Sequence, residues 1–486
     1  MTELRTPHPA SSADPWERAL VWIVLAMFAA LIAMPVYTLY LHVPRNNNEG
    51  WNAYNALAAM NGGVLYPPRD AMTANNYPPL SFYLVGLVGR CLGDYIIAGR
   101  LASLVSLLLT GANVFRLCRW IGADRMLSAF GMAWFLLAIY ALRPGYIAMD
   151  DPQFLALALV SSGAVVFLNA EPPKLFQKML LAAALIVAAG LVKQNVFALP
   201  ASLCTWAVFY DRRRLALFAA AGALVGGAAL ALLYGLWGQA LVDDVLFQPR
   251  LAAWQKSIAM TRQILPLISL FLVCALAGSI LLRPLKKAAF VFLFLLWSAA
   301  AGFWMASGAG VNYNIIFDLM IALAVGCVAA VLAAGRMKLP GTEKIRRRSL
   351  LTVLAVTQAA LTLHYYHNPY ARDIDALIHA REWTGLTDQL AQAQGPVACE
   401  VLATCYWAHK PLEVDFFNYG QKLLTGAVPD TAFRERIGRK YYAYVVVQKS
   451  GLQNPQLPVD TMQWLFSNYA PVRLVDGDTL LLAPRS

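Results

Sequence analysis

Eleven runs of mostly apolar residues punctuate this chain, most of them close to the roughly 20 residues that an α-helix needs to cross a hydrocarbon core about 30 Å thick. They lie near 18–41, 96–117, 127–146, 153–170, 178–192, 195–210, 215–237, 263–282, 287–306, 314–335 and 349–366. With 59% hydrophobic and 14% charged residues, against about 25% charged in an ordinary soluble domain, the chain is neither disordered nor a soluble enzyme. A mean hydropathy of +0.53 agrees. The first run reads as a retained anchor, because its apolar core is too long for a signal peptide and no small-x-small cleavage site follows.

The formal charge of +12 would raise the question of nucleic acid in a soluble protein, but its placement points to a membrane. With the N-terminus on the cytoplasmic side, that face gathers Arg18, Arg116, Arg119, Arg125, Lys174, Lys178, Arg212 to Arg214 and the basic residues around 283–287 and 336–348. The opposite short loops hold few: Arg143, Lys193 and those between 238 and 262. Eleven crossings from an inside start leave the loop 42–95 and everything after residue 366 outside. Residues 1–17 read as a loose cytoplasmic tail.

The expected fold is therefore a polytopic α-helical membrane protein with a membrane part over 18–366. A small outer α/β domain is expected over 367–486, with strand-like runs at Tyr441–Val447 and Thr479–Leu482. Cys399 and Cys405 lie in that domain, where an oxidising compartment permits a disulfide; spacing alone leaves two free thiols equally open. The seven cysteines form no CxxC or Cys/His zinc pattern.

Loop 42–95 holds most of the chemistry. Glu49 stands at the start of a stretch with helical spacing that Gly62 and Gly63 stop, and a carboxylate there suits the helix dipole whether or not it has a further role. Asn75-Asn76-Tyr77-Pro78-Pro79 then launches a short apolar helix. Asp150-Asp151 sits at the outer end of the third crossing, as loop and cap residues or as half of a site. Lys193-Gln194-Asn195 is a hairpin turn on the same face. Asn312-Tyr313-Asn314 and Asp318 stand at the tenth crossing, and an intramembrane acid is a functional candidate by default. Arg45, Arg143 and Arg250 are candidate phosphate or headgroup contacts. Two carboxylate sites on one membrane face suit a transferase or hydrolase.

Taken in order, these residues resemble the GT-C superfamily of membrane glycosyltransferases, which includes protein O-mannosyltransferases and the aminoarabinose transferases of lipid A. The likeness covers most of the chain: an acid in a large first outer loop, the Tyr77-Pro78-Pro79-Leu80 helix start, a second acid at Asp150 or Asp151, the Lys193 hairpin and a terminal outer domain. Family members carry an Asp-Glu pair where this chain has Asn48-Glu49, so the general-base role would fall to Glu49.

The resemblance implies inverting transfer of a sugar from a polyprenyl-phosphate donor to a lipid, glycan or protein acceptor, at the periplasmic face of a bacterial inner membrane. Glu49, Asp150 and Asp151 are then the catalytic candidates. Lys193, Arg45, Arg143 and Tyr77 are the donor or phosphate contacts, and Asn48, Asn76, Asn195, Asn312, Tyr313 and Asp318 the substrate contacts. No nucleic-acid partner is expected. No metal ligand set is complete, although oxygen ligands from Glu49 and the Asp150-Asp151 pair would suit Mg²⁺ or Mn²⁺. The rival classes are a transporter or flippase of a lipid-linked sugar, disfavoured by the lack of inverted repeats, and a non-catalytic envelope assembly subunit.

Overall fold

The computed structural model describes residues 14–337, 342–365, 367–450 and 456–485, so most of the expected N-terminal tail lies outside the described residues. The chain opens with α1 (Pro15–Tyr37), α2 (Asn47–Asn61), α3 (Leu80–Leu92), α4 (Tyr95–Ile121), α5 (Arg125–Leu142) and α6 (Gln153–Leu168). It continues through α7 (Leu175–Val192), α8 (Ala198–Tyr210), α9 (Arg212–Val245), α10 (Trp254–Leu281), α11 (Leu285–Met305), α12 (Phe317–Ala334), α13 (Glu343–Tyr365) and α14 (His367–Gln392). Beyond them come β1 (Val397–Cys399), α15 (Leu402–Trp407), α16 (Phe416–Leu424), α17 (Thr431–Gly438), β2 (Tyr444–Gln448), α18 (Val459–Asn468), β3 (Tyr469–Val475) and β4 (Thr479–Pro484).

Each of the eleven apolar runs is helical, but only eight helices among the described residues are long and apolar enough to cross a membrane. α6 and α8, with 16 and 13 residues, are shorter apolar helices. α13, which begins in the charged stretch Glu343–Arg348, is not among the eight. At the centre lies α12, buried from Phe317 to Ala333, as expected of a helix that is apolar on every side. α9 is largely exposed at the periphery. Its helical geometry breaks at Gly238, at φ 55°, next to the expected end at residue 237, and a second helical segment continues from there to Val245.

The two ends of the bundle differ in chemistry. One end carries the ion pairs of Arg347 with Glu17 and Asp124, and Arg214 bonded to the carbonyl of Ala170. Arg336 also reaches the Arg283 carbonyl there. The other end gathers the first loop, the α5–α6 connection and the α7–α8 hairpin.

The tail forms a four-stranded sheet in the order β1-β2-β4-β3, parallel between β1 and β2 and antiparallel elsewhere. β2 and β4 fall on the two strand-like runs of the sequence. Cys399 and Cys405 are joined by a disulfide. The short loop it closes docks on α2, so closely that a Cβ on Gly50 would collide with the backbone of Leu402 and Ala403. Trp51 and Tyr54 of α2 belong to one hydrophobic core with Leu386, Leu390, Val401 and Leu402.

Candidate functional site

The site is assembled around Glu49. Asn46 caps α2 by accepting from the Asn48 N–H at 3.0 Å, which places Glu49 in the first turn, facing inward and fully buried. Arg100, also fully buried, donates from Nε to Glu49 Oε1 at 2.8 Å and from Nη2 to Oε2 at 2.7 Å. Such a two-pronged guanidinium–carboxylate pair fixes orientation as well as charge. The remaining guanidinium bonds go to the carbonyls of Leu39, Leu41 and Val43, stapling the α1–α2 connection to α4. The backbone N–H groups of Arg45 and Asp150 complete the Glu49 carboxylate at 2.8 and 3.1 Å. Burial alone would raise its pKa; Arg100 and Arg45 outweigh burial and hold it below the usual value.

The Glu49–Asp150 bond brings the two acidic stretches together. Asn52 Nδ2 holds the Asp150 carbonyl at 2.7 Å. The Asp150 carboxyl lies against α4, where a side chain on Gly99 would collide with it, and its Oδ2 is buried without a hydrogen-bond partner. Burial, with the neighbouring charges of Glu49 and Asp151, pushes the Asp150 carboxyl well above the ordinary range. Asp151 Oδ1 accepts from Lys193 Nζ at 2.9 Å and from the Gln153 N–H at 2.8 Å, while Oδ2 is buried and unpartnered. Lys193 ends α7 and lies 4.8 Å from the centre of the Tyr77 ring. Burial lowers its pKa, but Asp151 and Tyr77 outweigh it, so the ammonium stays protonated.

Gln153 extends the network: its Oε1 accepts from Asn195 at 2.9 Å and from Asn314 at 3.4 Å. The Asn76 carbonyl accepts from Gln194 at 2.8 Å. Glu49, Asp150, Asp151, Lys193, Tyr77, Asn76 and Asn195 thus share one polar hub, and its three acids are each less than 5% exposed.

Other expected residues stand apart. The Arg45 guanidinium turns to the carbonyls of Pro35 and Ile147 and the Thr38 hydroxyl; burial and Arg100 lower its pKa to about 10. Arg143 lies over the Tyr313 ring, 3.1 Å from its centre, with Tyr313 bonded to Gln263 of α10 and Asn312 accepting from the Tyr313 N–H. Asp318 is buried in α12 with Oδ1 unpartnered. Asn48 is exposed and lines a separate cleft beneath the sheet. Sequence reasoning passed over Arg100, Asn52, Gln153 and Glu400. An arginine well inside the apolar run 96–117 was a usable signal for the first.

The acids present do not make a divalent-cation site. Glu49 has both oxygens bonded to Arg100, and Asp151 is bonded to Lys193, so two of the three acids already carry a cationic counter-charge. Among the described residues no group of three or more His, Cys, Asp or Glu side chains is arranged to hold a metal.

The arrangement can be set beside solved structures. ArnT from Cupriavidus metallidurans bound to undecaprenyl phosphate matches with a TM-score of 0.60 at 14% identity, over 97% of this chain and 98% of that one. The same enzyme in the apo state gives 0.62 at 15% identity, over 96% and 98%. The oligosaccharyltransferase of Archaeoglobus fulgidus tethered to an acceptor peptide gives 0.62 at 12% identity, over 98% of this chain and 74% of that one. No protein-family model and no curated protein sequence matches. At these identities the likeness is one of fold, shared with ArnT and with the archaeal oligosaccharyltransferase.

Proposed function

Taking the GT-C fold as premise, we propose that this protein is a glycosyltransferase that moves a sugar from a polyprenyl-phosphate carrier to a lipid, glycan or protein acceptor. The observation that carries this reading is the interlocking of Glu49, Asp150, Asp151 and Lys193, drawn from three separate stretches, at one end of the bundle beneath the terminal sheet. Basic residues gather at the opposite end, which favours a cytoplasmic location for that end and a periplasmic site in a bacterial inner membrane. The Cys399–Cys405 disulfide fits an oxidising compartment on the site's side.

The carrier's isoprenoid chain suits the apolar groove between α10 and α11, lined by Ile264, Ile268, Leu272, Phe303 and Leu319. Gln263, next to Ile264 in α10, accepts from the Tyr313 hydroxyl, and Arg143 lies over the Tyr313 ring, so a cation stands beside this stretch of α10. In the reaction an acceptor oxygen or nitrogen attacks the anomeric carbon in line, the bond from that carbon to the phosphate oxygen breaks, and the electrons leave with the phosphate. The Lys193 ammonium stabilises that charge. The acceptor's proton passes to a carboxylate.

Asp150 suits that last task better than Glu49. Its free oxygen and raised pKa make it the stronger base, while the four donors on Glu49 suit a residue that positions the Asp150 backbone. Glu49 is then a positioning residue. No step is routed through a metal.

The test is transfer of label from a radiolabelled polyprenyl-phosphate hexose by purified protein in lipid vesicles. Wild type is expected to transfer, and Asp150→Asn to lose about 10²- to 10⁴-fold in turnover, the usual contribution of a general base. Unimpaired turnover by Asp150→Asn would remove it as the base. Uptake of the lipid-linked sugar without any transfer would overturn the enzyme reading in favour of a transporter.

A further inference from the structure

A second polar cavity lies between α2 and the terminal sheet, outside the acid hub. One wall carries Asn48, Trp51 and Tyr77; the other carries Glu400, Phe417 and Asn418. Tyr77 belongs to both places, since its ring also lies beneath Lys193. Trp51 and Tyr77 meet edge to face at 5.0 Å, which sets two aromatic surfaces at the cleft's inner wall.

Glu400 is placed with care. It follows β1 directly and sits within the loop that the Cys399–Cys405 disulfide closes, the same loop that docks on Gly50 beside Glu49. Glu400 is 7% exposed, and its carboxyl accepts from the Gln448 N–H at 2.8 Å. Gln448 in turn accepts from Asn47 of α2 at 2.9 Å, so the cleft's two walls are tied at this point. Burial raises the Glu400 carboxyl to about 7, where it serves as hydrogen-bond donor or acceptor near neutrality.

The lining selects a ligand class. Aromatic faces accommodate the C–H side of a ring, while amides and carboxyls bond its hydroxyls. Arg250 is the cation at the rim, and it is directed at Asn418 and the Phe417 ring. Asp415 bonds both the backbone and the side chain of Asn418. Carboxyls therefore outnumber the guanidinium, which disfavours a phosphate here and favours an uncharged ring.

We propose that this cleft is a sugar-binding subsite, with Glu400 bonding ring hydroxyls and Phe417 and Trp51 packing against the ring. The subsite rests on the glycosyl-transfer reading and names where one of the two sugars of that reaction is held. The ring belongs either to the donor or to the acceptor, and the two sources separate by experiment.

The experiment uses full-length protein in nanodiscs with Glu400→Gln, which preserves volume, and Phe417→Ala, which removes the ring without touching the carboxyl. Binding of bare polyprenyl phosphate and of polyprenyl-phosphate hexose is measured by native mass spectrometry, and transfer is measured on a native membrane-lipid extract. If the cleft holds the donor sugar, both variants weaken the hexose-bearing lipid at least tenfold and leave the bare lipid unchanged. If it holds the acceptor sugar, both lipids bind as in wild type while the KM for the extract rises at least tenfold. Wild-type values throughout would overturn the subsite and leave the glycosyl-transfer reading standing. A wild type that neither binds the hexose lipid nor transfers would overturn both.

Discussion

At the scale of single residues, two neighbouring carboxyls have opposite electrostatic fates. Glu49 is held below its ordinary value of 4.5, so its ion pair contributes stability above that pH and loses it as pH falls through the lowered value. Removing one partner of a buried ion pair leaves the other uncompensated. Glu49→Gln should therefore lower stability by about 3–5 kcal/mol, read as a fall in thermal midpoint in detergent at neutral pH. Asp150 is raised above 3.8, so its contribution is full below that pH and is lost as pH climbs through the raised value. Asp150→Asn should accordingly gain stability relative to wild type as pH rises, and match it in acid; a midpoint difference independent of pH would refute the assignment. The acids and Lys193 were legible because charge at the edge of an apolar run stands out. Arg100 was legible as a charge within an apolar run, but its role was not, because its carboxylate partner lies 51 positions earlier.

At the scale of elements, the decisive contact is between α2 and the disulfide-closed loop. Gly50→Ala places a methyl group against the backbone of Leu402 and Ala403, where no flexible side chain can yield. The expected outcome is a loosened terminal domain, seen as faster proteolysis beyond residue 367 while the membrane helices stay protected. Unchanged proteolysis would mean that the loop shifts as a unit. Helix positions were readable from apolar runs, and α2 ends where Gly62 adopts φ 69°. β1 and β3 were not readable. β1 has only three residues, and β3 is buried only at its ends, Tyr469 and Val475, without the alternation that marks a half-buried strand.

At the scale of the whole molecule, the terminal sheet and the first loop share a core, so neither is a free-standing body. Besides the common apolar cluster, Tyr54 donates to the Lys410 carbonyl at 2.6 Å, and Lys422 donates to the carbonyls of Ala71 and Thr73. A separately expressed segment 367–486 should leave Leu386, Leu390 and Leu402 uncovered, and is expected to associate or exchange amide hydrogens far faster than in the intact protein. Monodisperse behaviour with full protection would show the shared core to be dispensable. Pattern alone pointed to a tail that differs in composition from the apolar part of the chain. It did not reveal their union, because contacts spanning 356 positions leave no periodic trace in the sequence.

That union bears on biogenesis. The eight membrane-length helices all precede β1 in the chain, so they can enter the bilayer before the residues that roof α2 have been synthesised. A nascent chain halted before Cys405 would hold α2 without the disulfide-closed loop that covers Gly50.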